Sequence, residues 1–583
     1  MHVRNALVAL VALALGPADA LWPIPKAAKT GDKFLFIDQT VKVTYNGHRI
    51  SYTAGYEPPA GPRFNSKDIV QGGVSRALGA IFQQGFVPWM LRGRDDKYEP
   101  DLHSAPSRRI KTLEITQMGN DSTHTFKPLA GQLDESYTLN VTADGKASIR
   151  AGSSIGVLRA LETFSQLFWK HSSGTAWYTA LAPVSVSDAP KFPHRGILLD
   201  VSRHWFPVED IKRTIDGLAM NKMNVLHLHI TDTQSWPLEV PSMPRLTEFG
   251  AYAPGLTYSP KDIAGLYEYA IHRGVQIIME IDMPGHIGIE KAYPGKSVAF
   301  NAKPYEWYCS QPPCGSFKLN SSDTYEFLDK LFKDLLPRVA PYSAYFHTGG
   351  DEYKANNSLL DPGLRTNDLA ILQPMLQKFL DYAHGKVRAQ GLAPFVWEEM
   401  VLQWNATVGK DVVIQSWLGA GAIKKLADAG HQVIDSSNEF LYLDCGRGEW
   451  IDYETGPAFQ KAYPFNDWCN PTKNWRLIYT HDPLIGLSKE SAKRVIGGET
   501  PVWTETIDPA SVDTIIWPRG AAAGEAWWSG YLDPDTGRNR SMYDVRVRLS
   551  EQRERMLARG VKATAITQLW CDQAAKDDCA GTQ

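Results

Sequence analysis

Beyond Phe192-Pro193 the chain alternates two patterns. Short unbroken apolar runs are followed by longer stretches with an apolar residue every third or fourth position, the periods of a buried strand and an amphipathic helix. Gly196–Val201 predicts a first strand and Val208–Met220 the helix after it. Asn224–Ile230 and the helix Pro260–Arg273 come next, then Val275–Ile281 and, past a cysteine-bearing insertion, the helix Ser322–Val339. A fourth strand at Ala344–His347 precedes a helix around Leu372–Gln390. Pro394–Trp397, Val412–Trp417 and Gln432–Asp435 read as the next three strands, with a helix at Ala420–Gly430. Val495-Ile496-Gly497 is the eighth, ahead of helices near Ala521–Trp528 and Tyr543–Arg559. Unbroken apolar strands are those buried on both faces. The alternation therefore predicts an α/β fold, a (β/α)8 TIM barrel over residues 193–583.

Before that point the pattern differs. Phe34–Ile37, Thr112–Ile115 and Tyr137–Val141 read as strands, the last alternating with period two and ending in the turn Ala143-Asp144-Gly145-Lys146. Gly156–Trp169 places Val157, Leu161, Phe164, Leu167 and Phe168 at helical spacing. A smaller α+β domain over residues 110–192 is expected, with 21–109 as a pro-segment or as the start of that domain. Residues 92–109 are polar, rich in arginine and end Ser107-Arg108-Arg109. A cut by a processing protease and an ordinary surface loop both account for them.

Residues 1–20 carry Arg4, an apolar run from Ala6 to Leu15 and Ala18-Asp19-Ala20, the layout of a secretory signal peptide. A secreted chain starting near Leu21 is expected, with no membrane span, because that run is too short for one. Six cysteines suit an oxidising compartment. They lie in three neighbouring pairs, predicting Cys309–Cys314, Cys445–Cys469 and Cys571–Cys579, although neighbourhood alone does not fix connectivity. Sequons at Asn120, Asn140, Asn320, Asn356, Asn405 and Asn539 are glycosylation candidates. The net charge of −3 leaves no footprint for nucleic acid or an anionic membrane. Eighteen tryptophans would suit stacking on sugar rings, although most tryptophan in any protein is core.

In a parallel barrel the residues just past each strand form one mouth. Here they are Arg203-His204-Trp205, the run His227-Leu228-His229-Ile230-Thr231-Asp232, Glu280-Ile281-Asp282-Met283-Pro284-Gly285-His286, and His347-Thr348-Gly349-Gly350-Asp351-Glu352. Trp397-Glu398-Glu399, Gln415-Ser416-Trp417, Tyr442, Asp444, Trp503 and Glu505 complete it. Carboxylates, one arginine and aromatic rings suit a neutral, polyhydroxylated ligand. No glycine-rich phosphate cradle is present, which argues against nucleotides.

These motifs, with Gly497-Gly498-Glu499 and Trp503-Thr504-Glu505, resemble the family-20 β-N-acetylhexosaminidases, the secreted fungal type most of all. The likeness runs from Leu21-Trp22-Pro23 nearly to the C-terminus. It implies an exo-acting retaining hydrolase of terminal GlcNAc or GalNAc, with chito-oligosaccharides as substrate, no cofactor and a homodimer. Adjacent residues such as Asp351 and Glu352 are poorly placed to flank a sugar, and substrate-assisted enzymes of this family are exceptions to the two-carboxylate rule. In the mechanism the resemblance implies, the 2-acetamido oxygen attacks C1 to give an oxazolinium ion. Glu352 is then the acid and later the base, and Asp351 orients the acetamido group. A negative neighbour also favours keeping a proton on the acid.

Arg203 and Glu505 would hold the ring hydroxyls, with Asp444 adding a contact to the 6-hydroxyl. Trp397, Trp417 and Trp503 would wall the acetamido pocket, Tyr442 would bond its oxygen, and Trp475 would carry a second sugar. Asp232, Asp282, His286 and His347 would support the acid pair. Each has a bland alternative: a tryptophan at a strand end is usually core, and Arg203 could be a structural ion pair. His227 and His229 are read as facing opposite sides of their strand, and so unable to share a metal. A metal-dependent hydrolase built on His227, His229, Asp232, Asp282 and His286, and a non-catalytic amino-sugar-binding scaffold, are the competing readings.

Overall fold

The computed structural model describes residues 21–581 apart from 94, 103–107, 462, 465, 534–535, 575 and 580. The predicted signal segment and Ser107 lie outside the described residues.

Strands β1 (Ala27–Ile37), β2 (Lys42–Tyr45), β3 (His48–Ile50), β4 (Thr112–Gln117), β5 (Tyr137–Val141), β6 (Lys146–Ala151), β7 (Trp169–Lys170) and β8 (Trp177–Asp188) form one sheet in the order β1-β8-β5-β6-β4-β2-β3, with β7 on β8. Strands from both sides of residues 92–109 thus share a sheet: β1 pairs with β8, and β2 runs parallel to β4. Residues 21–109 and 110–192 build a single folded unit. Helices Ser66–Phe82 and Ser154–Gln166 bury their apolar faces in the core of that sheet. Each starts on a side-chain cap, Asn65 accepting from the Asp68 amide and Ser153 from the Gly156 amide. Gly73 allows the two helices to touch, since a Cβ there would come within 2.4 Å of Leu158.

The barrel follows. Strands β9 (His194–Asp200), β10 (Val225–Thr231) and β11 (Gln276–Ile281) lead to a hairpin, β12 (Ser297–Val298) with β13 (Ser316–Phe317). Then come β14 (Tyr345–His347), β15 (Ala393–Trp397), β16 (Val413–Ser416), β17 (Gln432–Asp435) and β18 (Val495–Val502). The eight main strands are parallel and closed, β18 pairing back onto β9 with Thr500 opposite Ile197. The predicted (β/α)8 architecture therefore stands, and the helices Val208–Met220 and Ser322–Val339 have the predicted bounds. Strand β8 and the helix Ser66–Phe82 were not predicted.

Most of the apolar core lies between strands and helices. A second cluster (Val225, Ile278, Tyr345, Phe395, Val413, Ile434 and Ile496) plugs the barrel floor. Above it the interior turns polar, with His194, His227, Glu280, His347, Gln415 and Glu499 all buried. Barrel interiors are ordinarily filled by branched aliphatic residues, so this layer marks the end that carries chemistry. All three predicted disulfides form. Asn120, Asn320, Asn405 and Asn539 are exposed, and Asn140 and Asn356 half-buried. Among the described residues no helix is long and apolar enough to cross a membrane.

Candidate active site

The fourth strand end bends sharply. Gly349 and Gly350 have φ of +64° and +105°, a region that side chains disfavour. Space forbids them too: a Cβ on Gly349 would lie 1.8 Å from Asp282 Oδ1, and one on Gly350 2.7 Å from Met400 Cγ. The Gly350 amide donates to Asp282 Oδ1 at 2.7 Å, so the turn is locked onto the neighbouring strand. Glu352 itself has φ of +54°, which separates its side chain from that of Asp351. Asp351 is buried, whereas Glu352 keeps a quarter of its side chain exposed. The adjacent acids therefore occupy different settings in one cleft of about 460 Å³.

Two further carboxyls surround Asp351. Burial and then the Asp351 charge push Asp282 well above the carboxylate range. Burial and the same charge also push Glu399 well up. The raised pKa values favour the neutral form of both groups. Glu399 accepts from Trp417 Nε1 at 2.9 Å, and Trp417 stacks on Tyr442 at 6.0 Å and 17°. Trp397 is 6.2 Å from Trp503, so three indoles and a phenol enclose the space beside Asp351.

The opposite wall is charged. Arg203 donates from Nη2 to Asp232 Oδ2 at 2.7 Å and lies 5.1 Å over the Trp503 ring. Burial works against its charge, but Asp232, Asp200, Glu505 and Asp351 outweigh that and hold its pKa above the ordinary value. Asp232 also meets His286 Nδ1 at 3.1 Å, and His286 Nε2 stands 3.4 Å from Glu352 Oε2. Glu505 accepts from Gln311 Nε2 at 2.6 Å. That glutamine sits in the Cys309–Cys314 loop, which Lys354 Nζ ties down through the Glu306 and Cys309 carbonyls. Burial and the Glu505 charge raise Asp444 well above the carboxylate range.

His227 and His229 do not face apart. They are two residues apart on β10, and the pleat turns both rings inward. His229 Nδ1 lies 2.6 Å and His227 Nε2 3.1 Å from the same Glu280 oxygen. Burial disfavours the charged rings, but Glu499 and Glu280 raise His227 to about 9, and Glu280 and Asp232 raise His229 to about 10. Each ring is thus paired with a carboxylate at each nitrogen. His347 differs. Its Nδ1 is 3.1 Å from Glu280 but accepts from the Gly349 amide, and burial keeps its pKa below the ordinary value.

Residues 192–531 match the glycosyl hydrolase family 20 catalytic domain, and 21–167 match a β-acetylhexosaminidase-like domain. The chain is 37% identical to a β-hexosaminidase of Arthroderma benhamiae across 95% of this chain and 96% of that one. The chain belongs to glycosyl hydrolase family 20. It is 31% identical to a chitooligosaccharidolytic β-N-acetylglucosaminidase of Ostrinia furnacalis, covering 81% of this chain and 79% of the other. The crystal structure of a Flavobacterium johnsoniae chitobiase superposes with a TM-score of 0.70 at 26% identity, covering 93% of this chain and 73% of that one. The protein is thus a glycoside hydrolase of the β-N-acetylhexosaminidase family.

For this family-20 enzyme the fold brings Arg203, His286, Asp351, Glu352, Trp417, Tyr442, Asp444, Trp503 and Glu505 to one cleft, with Asp232, Asp282, His347 and Trp397 directly behind it. Trp475 is a correction. It begins the short helix Trp475–Thr480, capped by Asn474, and packs in the core beside Tyr479. It is 4% exposed and does not line the cleft. Trp468 does, 64% exposed and edge-on to Trp417 and Tyr442. Trp450 also stands at the rim. Sequence reasoning missed Trp468 and Gln311 and the roles of Glu280 and Glu399; the Cys445–Cys469 pair beside Trp468 was the one available signal for it.

Proposed function

We propose that this hexosaminidase removes terminal non-reducing N-acetylamino sugars, with net retention, through an oxazolinium intermediate formed by the substrate's own acetamido group. The observation that carries the reading is the setting of Asp351: a buried carboxyl beside Asp282 and Glu399, whose pKa values burial and its charge raise, and beside an aromatic box. An acetamido N–H donates to that carboxylate, and positive charge developing on the nitrogen is stabilised there. The acetamido oxygen is thereby aimed at C1, with Tyr442 able to bond it and the indoles enclosing the methyl. Glu352, a quarter exposed and oriented by His286, protonates the leaving oxygen and then activates water.

Arg203 and Glu505 take the outer ring hydroxyls and Asp444 the 6-hydroxyl. Trp468, in place of Trp475, stacks on the sugar beyond the scissile bond, which favours chito-oligosaccharides, the substrate named for the insect relative. Residues 1–20 and the three disulfides support secretion. A chain cut within 92–109 would stay joined through the shared sheet.

The test compares an aryl N-acetyl-β-glucosaminide with the matching β-glucoside, which lacks the amide. The expected kcat/KM ratio is about 10³ or more, the scale of a lost intramolecular nucleophile, and an N-acetylglucosamine thiazoline should inhibit below the substrate's KM. Equal rates on both glycosides would overturn acetamido participation. A chelator that abolished activity would restore the metal reading.

A further inference from the structure

Asp351 and Glu352 must act together, one aiming the acetamido group while the other delivers a proton. One wall of the acetamido pocket and the direction of Glu352 both trace back to a single carboxylate that touches neither the cleft nor solvent. Glu280 is fully buried in the barrel. Its Oε1 accepts from Trp397 Nε1 at 2.8 Å, fixing one wall of the acetamido pocket. Its Oε2 meets His229 Nδ1 at 2.6 Å. The other nitrogen of His229 lies 3.0 Å from Asp232 Oδ2, the other oxygen of Asp232 lies 3.1 Å from His286 Nδ1, and the far nitrogen of His286 faces Glu352. Each ring engages a different carboxylate at each nitrogen, so neither can flip or tilt without breaking both contacts.

The carboxylate is held from below as well. His227 Nε2 lies 3.1 Å from Oε2, and its Nδ1 meets Glu499 Oε2 at 2.9 Å. Glu499 in turn takes His194 at 2.8 Å and Gln415 at 3.0 Å. An alternating imidazole–carboxylate path therefore runs from the barrel floor to the mouth. We propose that Glu280 is a positioning residue that sets the Trp397 wall and the direction of Glu352 from one rigid point.

The chemistry of the side chain makes this testable. A carboxylate accepts on two oxygens, whereas an amide of the same shape accepts on one. Glu280→Gln must therefore give up either Trp397 or His229. Resting on Glu352 as the general acid, the inference predicts that the damage depends on how much the leaving group needs a proton. On N-acetylchitobiose, whose sugar leaving group must be protonated, kcat/KM should fall about 100-fold, within the range of a general acid's contribution. On the 2,4-dinitrophenyl glycoside, which departs as a phenolate, it should fall less than about 5-fold.

His229→Gln breaks only the path to Glu352 and keeps Trp397 in place. It should show the same split, and it serves if the first variant fails to fold. Equal losses on the two substrates, or no loss on either, would overturn the inference. A wild-type protein inert on both would instead overturn the hexosaminidase reading on which it rests.

Discussion

Two buried polar networks in this molecule resemble each other in composition and differ in completeness. Where the N-terminal sheet meets the barrel, Glu135 is shared by Arg159 at 2.9 Å and Arg195 at 2.7 Å. Close by, Asp188 takes Lys222 at 2.9 Å, Trp528 Nε1 at 3.0 Å and the Tyr137 hydroxyl at 2.7 Å. Those carboxylates have found their partners within the fold. At the barrel mouth, Asp351 Oδ1, Asp282 Oδ2 and Glu399 Oε2 are buried without a partner. A shared proton answers part of that, and an arriving ligand answers the rest. Buried polar groups left unpaired are costly. The three unpaired carboxyl oxygens at the mouth thus lie where a substrate amide would meet them, whereas Glu135 and Asp188 are fully engaged where the two domains hold together.

The sharpest way to break that contrast is to change one member of each network and read activity and stability together. At the mouth, Asp351→Asn and Glu352→Gln should each lower kcat on an aryl N-acetylglucosaminide by about 10²–10⁴-fold, the contribution of a positioned acid or base. Asp351→Asn should leave the urea midpoint unchanged or higher, because a buried carboxyl with an unpaired oxygen becomes a neutral amide, and Glu352→Gln, at a quarter-exposed position, should leave it unchanged. Near-normal turnover by both variants would remove the acids from the mechanism. At the interface the effects should reverse. Lys222→Met leaves Asp188 buried without its cation, which should cost about 3–5 kcal/mol of stability, read as a lower urea midpoint, with kcat of the folded enzyme kept. A variant that lost kcat and not stability would erase the distinction.

Alkaline pH should also separate the two. His227 and His229 are pulled down by burial but raised by their carboxylates to about 9 and about 10. A raised pKa means that the protonated ring stabilises the fold. That contribution is complete below the ordinary value near pH 6.5 and is lost as pH climbs through 9 to 10. The melting temperature should fall over this window, and His229→Gln should flatten the fall. An unchanged profile in the variant would show that the rings are not cations in the fold.

The barrel was legible because strands buried on both faces leave unbroken apolar runs, and its acids were legible because they sit where those runs stop. What was hidden is hidden for physical reasons. The helix Ser66–Phe82 carries Gly72, Gly73 and Gly79, which lower its propensity, yet Gly73 is what allows the second helix to approach. Strand β8 contains Pro183 and a cluster of alanines that blur its alternation. His227 and His229 were assigned to opposite faces although a two-residue step returns to the same one. Glu280, Gln311 and Glu399 owe their importance to partners far away in the chain. Gln311 reaches Glu505 across 194 residues, and no local pattern records such a contact.

The smallest expected effect concerns Trp468 and Trp475, the second of which the sequence reading puts in the place of the first. Trp468→Ala should raise KM for a disaccharide about 5-fold, close to the 0.5–1.5 kcal/mol of an aromatic contact, and should leave a methyl glycoside, with nothing to stack, unchanged. Trp475→Phe should do the converse, lowering the melting temperature while KM for both substrates stays put, because its indole touches Tyr479 in the core and not the cleft. The pair works as a control on itself, since each position predicts what the other must not do. If Trp475→Phe raised KM for the disaccharide alone, the second sugar would have to reach past Trp468, and the stacking surface would have been placed on the wrong side of the Cys445–Cys469 loop.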